Sequence, residues 1–182
     1  MKFNIASTLL ALSLVFNCAS TEVVISEFDE TINFDAYSSF VLCVEDLLVE
    51  YENNPGYDNP EVRDLIGTEI EKQMIKRGHK LDVMNAELQA GFELILESNE
   101  LTFENCNSYG EYEYWDETTI ETFVYTEATL VLYVSDMGKN QIIWQASIVC
   151  DLNISKKRLP EYINEIVDMV FNEYPRVVDE NL

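Results

Sequence analysis

The chain has 182 residues, with 34 acidic against 11 basic side chains, and carries a formal net charge of −23 at pH 7. A charge of this size disfavours nucleic acid and anionic lipid as primary partners, and it favours solubility, cations or a basic partner. The six glycines are isolated, whereas phosphate-binding loops need clustered glycines, so the sequence predicts no nucleotide and no other cofactor.

The N-terminus has the pattern of an export signal. Lys2 precedes an apolar run over residues 5–16, and small residues and Cys18 follow. This order is typical of secreted proteins, and the run is shorter than the roughly 20 apolar residues that span a bilayer. We therefore expect residues 1–17 to be a signal peptide and residues 18–182 to form one domain.

Cys18 lies where the cysteine of a bacterial lipoprotein signal would lie. The apolar residues Leu14 and Val15 resemble the start of such a signal, although Phe16 departs from its usual small residues. Acylated Cys18 would be the first mature residue and would hold the domain at a membrane, here expected to be the outer membrane. Ordinary cleavage after Ser20 is the alternative.

Hydrophobic periodicity predicts five strands and two helices. Alternating and β-branched segments predict strands over residues 22–28, 37–44, 89–103, 119–135 and 141–152. A capping asparagine, Asn59, precedes the first helix, which starts at Pro60 and stops at Gly78. The second helix is expected over residues 159–174, ended by Pro175.

These elements predict an α+β fold in the order β-β-α-β-β-β-α. A mainly antiparallel sheet with one apolar face and two helices with one apolar stripe each would close as a two-layer sandwich, with both helices on one face. We expect Trp144 to be buried between the sheet and the helices, against Ile70 and Ile166. If successive elements alternate in direction, the basic run 156–158 meets two acidic loops, residues 45–58 and 104–117, at one edge, where the loops would compensate the basic charge.

The sequence resembles a family of bacterial envelope lipoproteins known as domain of unknown function 4136. The likeness is carried by residues 33–40, the helix end at 70–78, the hairpin at 130–146 and the closing helix at 163–175. Its most specific part is the hairpin with Asp136, Lys139 and Trp144. The resemblance implies an envelope lipoprotein without an established activity, and it supplies no catalytic residues.

No catalytic or metal-binding pattern stands out. His79 is the only histidine and follows Gly78, where a solvated residue at a helix end is expected. A hydrolase needs a base beside its nucleophile, and the sequence has no Gly-x-Ser-x-Gly turn. The acids of residues 111–117 lack the glycine-centred spacing of a calcium loop. We predict no catalytic residue and no metal site.

Besides Cys18, the sequence has three cysteines, Cys43, Cys106 and Cys150. An oxidising envelope favours one disulfide and one thiol. We predict the pair Cys106–Cys150, because Cys106 is expected in a loop that can swing towards the end of the last strand. Cys43–Cys150 is the alternative, if the second and fifth predicted strands are neighbours.

Two functions are open. The first is a non-catalytic interaction protein, tethered by Cys18, that binds an envelope protein. Its predicted contact surface is a set of aromatic side chains among acidic ones. Aromatic rings give a large contact area at a low entropy cost. The alternative is that these rings lie back over the sheet. The members of this set are Tyr109, Tyr112, Tyr114 and Trp115.

The alternative is an enzyme or carrier that acts on glycans or small apolar ligands with the outer sheet face. Tyr125, Val131 and Tyr133 are expected on that face. A pocket with converging carboxylates there would support the alternative, and a flat exposed face would support the interaction protein.

Overall fold

Six strands and two helices make up residues 23–106 and 118–175, the parts of the chain that the computed structural model describes. The strands are β1 (Val24–Phe28), β2 (Ser39–Leu42), β3 (Lys80–Leu81), β4 (Leu88–Cys106), β5 (Thr118–Asp136) and β6 (Gln141–Cys150). The helices are α1 (Pro60–Lys76) and α2 (Leu159–Phe171). Short 3-10 turns lie at Phe34–Ala36 and Glu45–Leu47.

The strands form one sheet in the order β1-β6-β5-β4-β2-β3. In this order the neighbours β1 and β6, β6 and β5, and β5 and β4 are antiparallel. β2 runs parallel to both β4 and β3. The predicted α+β fold with a mainly antiparallel sheet is confirmed. The added strand β3 was not predicted, because two residues are too few to leave a hydrophobic period.

The ends of α1 follow the predicted local chemistry. The side chain of Asn59 accepts a hydrogen bond of 3.1 Å from the N–H of Val62, and Pro60 occupies the first turn. Gly78 adopts a left-handed φ of 83°, which ends the helix and turns the chain towards the sheet. Neither described helix is both long and apolar enough to cross a membrane.

The core lies between the inner sheet face and the two helices, as predicted. Trp144 is 1% exposed, and its ring lies 5.2 Å from that of Phe171 and 5.1 Å from that of Tyr174. Its indole N–H donates to the carbonyl of Glu173. The aliphatic part of this core includes Ile66, Ile70, Met74, Leu94, Leu130, Leu132, Ile163, Ile166 and Val170.

His79 is buried, so the expectation of a solvated side chain was wrong. Its ring lies under the end of α2, where Nε2 is 3.2 Å from the hydroxyl of Tyr174. The cause is the turn at Gly78, since the following residue, Lys80, already pairs with Ser39 in the sheet. The histidine is thus part of the packing between α1, α2 and β3.

Candidate interaction surface

Strands β4 and β5 extend well beyond the rest of the sheet. β6 ends at Cys150, which pairs with Ala128. Past this level β4 and β5 continue for ten more residue pairs, residues 97–106 with residues 118–127. At about 3.3 Å per residue this two-stranded ribbon is roughly 30 Å long. We name these two segments the arm.

One face of the arm is apolar. Successive residues of a strand alternate between faces, so Leu101, Phe103, Phe123 and Tyr125 share the face that continues the outer, helix-free side of the sheet. These four side chains are between 41% and 54% exposed. The rings of Phe103 and Phe123 meet edge to face at 5.7 Å between centroids. The apolar stripe runs along the arm without a covering element among the described residues.

The opposite face of the arm is mostly polar. Val124 is exposed there, but its neighbours on that face are hydroxyl and carboxylate side chains. These neighbours are Ser98, Glu100, Thr102, Thr122 and Thr126. A two-stranded ribbon is only marginally stable by itself in water, and contiguous exposed apolar side chains mark interaction sites. The asymmetry between the faces therefore makes the outer one the candidate contact surface.

An open cleft lies where the arm leaves the sheet. It has a volume of about 470 Å³ and is lined by the rings of Tyr57, Tyr125 and Tyr162 beside Cys150 and Asp151. The Tyr57 hydroxyl donates to the carbonyl of Thr126, and the Tyr162 hydroxyl accepts from the N–H of Asp151. These bonds fix two of the three rings at the base of the arm.

The N-terminus enters the sheet at the same end as the arm. Val24 of β1 pairs with Ile148 of β6, so Val23 lies near the level at which β6 ends and the arm begins. Only residues 19–22 separate Val23 from Cys18. Even fully extended, this connection spans less than about 20 Å. The described part of the chain therefore begins at the arm end of the domain.

The first acidic loop is engaged within the domain. Arg63 of α1 is fully buried and forms two hydrogen bonds with the carboxylate of Asp58, at 2.6 and 2.9 Å. Its third bond, of 2.6 Å, goes to the carbonyl of Asp46. Burial alone would raise the pKa of Asp58, but the bonds from Arg63 and from two backbone N–H groups keep that pKa below its usual value. These bonds hold the first acidic loop against α1 and give it a structural role.

Asp46 closes the edge that β4 exposes beyond the end of β2. Its carboxylate accepts from the N–H of Phe92, at 2.9 Å, and from the hydroxyl of Tyr133, at 2.7 Å. Burial and this carboxylate raise the pKa of Tyr133 above its ordinary value. A side chain at Gly91 would collide with both groups, so this position requires glycine. The cluster fixes the loop to the sheet.

The acidic loops were expected to compensate the basic run at the start of α2. Lys156 instead lies 3.3 Å from the carboxylate of Glu61, in the first turn of α1. In the first acidic loop, the carboxylate of Asp58 and the carbonyl of Asp46 bind Arg63. The predicted compensation by that loop was wrong for Lys156, because a nearer carboxylate lies on the neighbouring helix.

The cysteines lie differently from the arrangement that motivated the disulfide prediction. Cys106 belongs to β4 rather than to a loop, ten pairs beyond the level of Cys150, or roughly 30 Å. A disulfide needs Cα atoms within about 7 Å. The register therefore argues against the pair Cys106–Cys150, and this pair stays a prediction. Cys43 follows β2, which is separated from β6 by β4 and β5, so the premise of the alternative pair was wrong.

The aromatic set Tyr109, Tyr112, Tyr114 and Trp115 lies outside the described residues, as does Cys18. Their predicted roles stay predictions. The apolar face of the arm itself was not predicted from the sequence. The available signal was the alternation of Leu101 with Phe103 and of Phe123 with Tyr125, beyond the point where the inner-face alternation stops.

The outer-face residues do not converge on one pocket. Tyr125 lines the cleft at the base of the arm, whereas Val131 borders a separate depression of about 250 Å³ with Ile25 and Glu27. The hydroxyl of Tyr133 is held by Asp46. The two described depressions are open and separate, which favours contact with a macromolecule over enclosure of a small ligand.

Comparison with solved structures gives the same fold in two bacterial proteins. A DUF4136 family protein from Bacteroides thetaiotaomicron is 14% identical, with a TM-score of 0.52, over 88% of this chain and 99% of that one. A PDZ domain protein from Parabacteroides distasonis is 16% identical, with a TM-score of 0.54, over 87% of this chain but only 37% of that protein. At such low identity these likenesses establish the fold alone. No curated protein matches the sequence.

The family itself is established by sequence. The family model described as "Domain of unknown function (DUF4136)" matches residues 24–176, from the first residue of β1 to just beyond α2. The match covers every described strand and helix, including the arm. The chain therefore belongs to the DUF4136 family.

Proposed function

We propose that this protein is a non-catalytic interaction protein of the bacterial cell envelope, held at a membrane through Cys18, that presents its arm to a protein partner. The observation that carries the proposal is the apolar outer face of the arm. Four large apolar side chains lie half exposed on a projecting ribbon, while the inner face of the rest of the sheet is packed against two helices. Natural sequences keep such side chains exposed where a partner covers them.

The position of the anchor supports the same proposal. A lipid on Cys18 would hold the arm end of the domain against the membrane, because Cys18 is less than about 20 Å from the sheet end at which the arm begins. The arm is longer than this connection, so it would lie at or along the membrane surface. A partner that is itself bound to the membrane is then within reach of the outer face.

Lipidation is tested by replacing Cys18. Cys18→Ser is expected to move the protein from the membrane fraction to the soluble fraction of the envelope, because acyl chains on this cysteine would be the anchor. Fractionation and mass spectrometry of the N-terminal peptide check the result. Wild-type protein that is already soluble, with an N-terminus at Thr21, would show ordinary cleavage instead.

The arm is tested by removing its apolar face. In gentle detergent extracts of membranes, the wild type is expected to elute from size-exclusion columns in a complex larger than the monomer. The double variant Leu101→Ser/Phe123→Ser is expected to elute as a monomer, since it loses the side chains that a partner would cover. Its melting temperature should stay within a few degrees of the wild type, because both side chains are about half exposed.

A matched control lies at the opposite end of the sheet. Val83 and Met84 are 71% and 86% exposed and precede β4, far from the arm. Val83→Ser/Met84→Ser removes a similar apolar area and should leave the complex intact. Equal losses of the complex in both double variants, or a wild type that is monomeric in membranes, would contradict the proposal.

A further inference from the structure

One edge of β5 is open along the arm. β6 accompanies β5 only as far as Ala128, and no described strand lies beside residues 118–127 on that side. The backbone N–H and C=O groups on an open edge are a template for an additional strand. The cleft lined by Tyr57, Tyr125 and Tyr162 lies at the start of this edge, where β6 turns away.

The side chains along this edge follow a regular order. Glu121, Phe123, Tyr125 and Glu127 occupy alternate positions of β5 and so share the outer face. The edge thus presents an acid, two aromatic rings and a second acid at two-residue spacing. An added strand would place its own alternate side chains beside these four, about 5 Å away.

The charge of the arm selects the partner. Glu127 lies directly opposite Glu97 on the same face, and like charges in directly opposed positions destabilise a strand pair. Residues 97–127 contain no lysine, arginine or histidine. None of the ion pairs among the described residues involves an acid of the arm. The described residues thus place no ion-pair partner at these acids, and a basic partner would complement them.

We propose that the open edge of β5 accepts an extended segment of a basic protein as an additional strand. Lysine or arginine side chains of that segment lie beside Glu121 and Glu127, and two apolar side chains between them cover Phe123 and Tyr125. This inference rests on the proposed function and names the chemistry of the partner. A second copy of the chain does not fit, since its arm would bring acids against acids, and an anionic lipid surface is repelled for the same reason.

The test uses the purified mature protein and a fluorescent peptide in which lysine, valine, valine and lysine alternate with threonines. Anisotropy titration should show binding. The double variant Glu121→Gln/Glu127→Gln should weaken it about tenfold, through the loss of two close charge contacts. Glu30→Gln/Glu173→Gln removes the same charge from exposed positions at the far end of the domain and should change the affinity less than about twofold.

Two further peptides separate strand addition from general attraction. Moving the lysines by one position transfers them to the other face of the added strand and should weaken binding as strongly as the arm variant. Methylating the backbone nitrogens blocks the main-chain hydrogen bonds and should do the same. Equal affinity for all three peptides, or equal losses in both double variants, would overturn the inference, as would retention of the wild-type protein by phosphatidylglycerol vesicles.

The outcome is separable from that of the proposed function. A membrane complex that depends on Leu101 and Phe123 but not on Glu121 and Glu127 would leave the interaction protein standing and remove the basic partner. A complex that depends on neither pair would remove both.

Discussion

Trp144→Ala is expected to lower the free energy of unfolding by about 3–5 kcal/mol, the range for removal of a large buried ring. The indole is 1% exposed and touches Phe171 and Tyr174, so its loss opens a cavity under the end of α2. It also removes a hydrogen-bond donor from the carbonyl of Glu173. Urea denaturation followed by circular dichroism measures the change.

Phe123→Ala is the matched control for this substitution. It also removes an aromatic ring, but from the outer face of the arm, where the side chain is 54% exposed. Its cost should be below about 1 kcal/mol. Comparable losses in the two variants would contradict the placement of the core under the helices.

Asp58→Ala should be as damaging, for an electrostatic reason. Arg63 is fully buried and depends on Asp58 for two of its hydrogen bonds. Removing the carboxylate leaves a buried charge without its main partner, which costs about 3–5 kcal/mol. The double variant Asp58→Leu/Arg63→Met should recover much of that loss, because the buried charge disappears with its partner. A single variant with wild-type stability would contradict the buried pair.

The same pair predicts a pH dependence. The pKa of Asp58 in the folded protein is below its ordinary value. Its stabilising contribution is therefore present above the unfolded value of about 3.9 and is lost as the pH falls through the lower folded value. The difference in unfolding free energy between wild type and Asp58→Asn should be constant near neutral pH and shrink below about pH 4. A difference that persists unchanged in acid would contradict the lowered pKa.

Local rules predicted most of the body of the domain. The Asn59–Pro60 start, the Gly78 stop and the inner face of β5 all follow from short-range chemistry or from a period of two or 3.6 residues, and the structure confirms them. β3 and the burial of His79 were missed for a different reason. Both depend on where the chain goes after Gly78, which tertiary packing decides.

The arm was missed because its pattern resembles that of the sheet. The predicted end of the last strand, at residue 152, lies close to the end of β6 at Cys150, but alternation gives no register between strands, so the extension of residues 97–106 and 118–127 beyond β6 was not predicted. The ends of the strands were placed where charge begins, at residues 103 and 119. The structure shows that acids continue within the paired strands, and only the register between strands reveals an exposed ribbon.

Photo-cross-linking in living cells from position 123 tests most directly whether the outer face of the arm contacts a partner. A benzophenone amino acid in place of Phe123 is expected to form a cross-link with one membrane-associated protein, because the outer face of the arm is the contact surface. The same amino acid at Val83, which is 71% exposed at the other end of the sheet, should form none. Equal cross-linking from both positions, or none from position 123 in protein that fractionates with the membrane, would show that the outer face of the arm is not the contact surface.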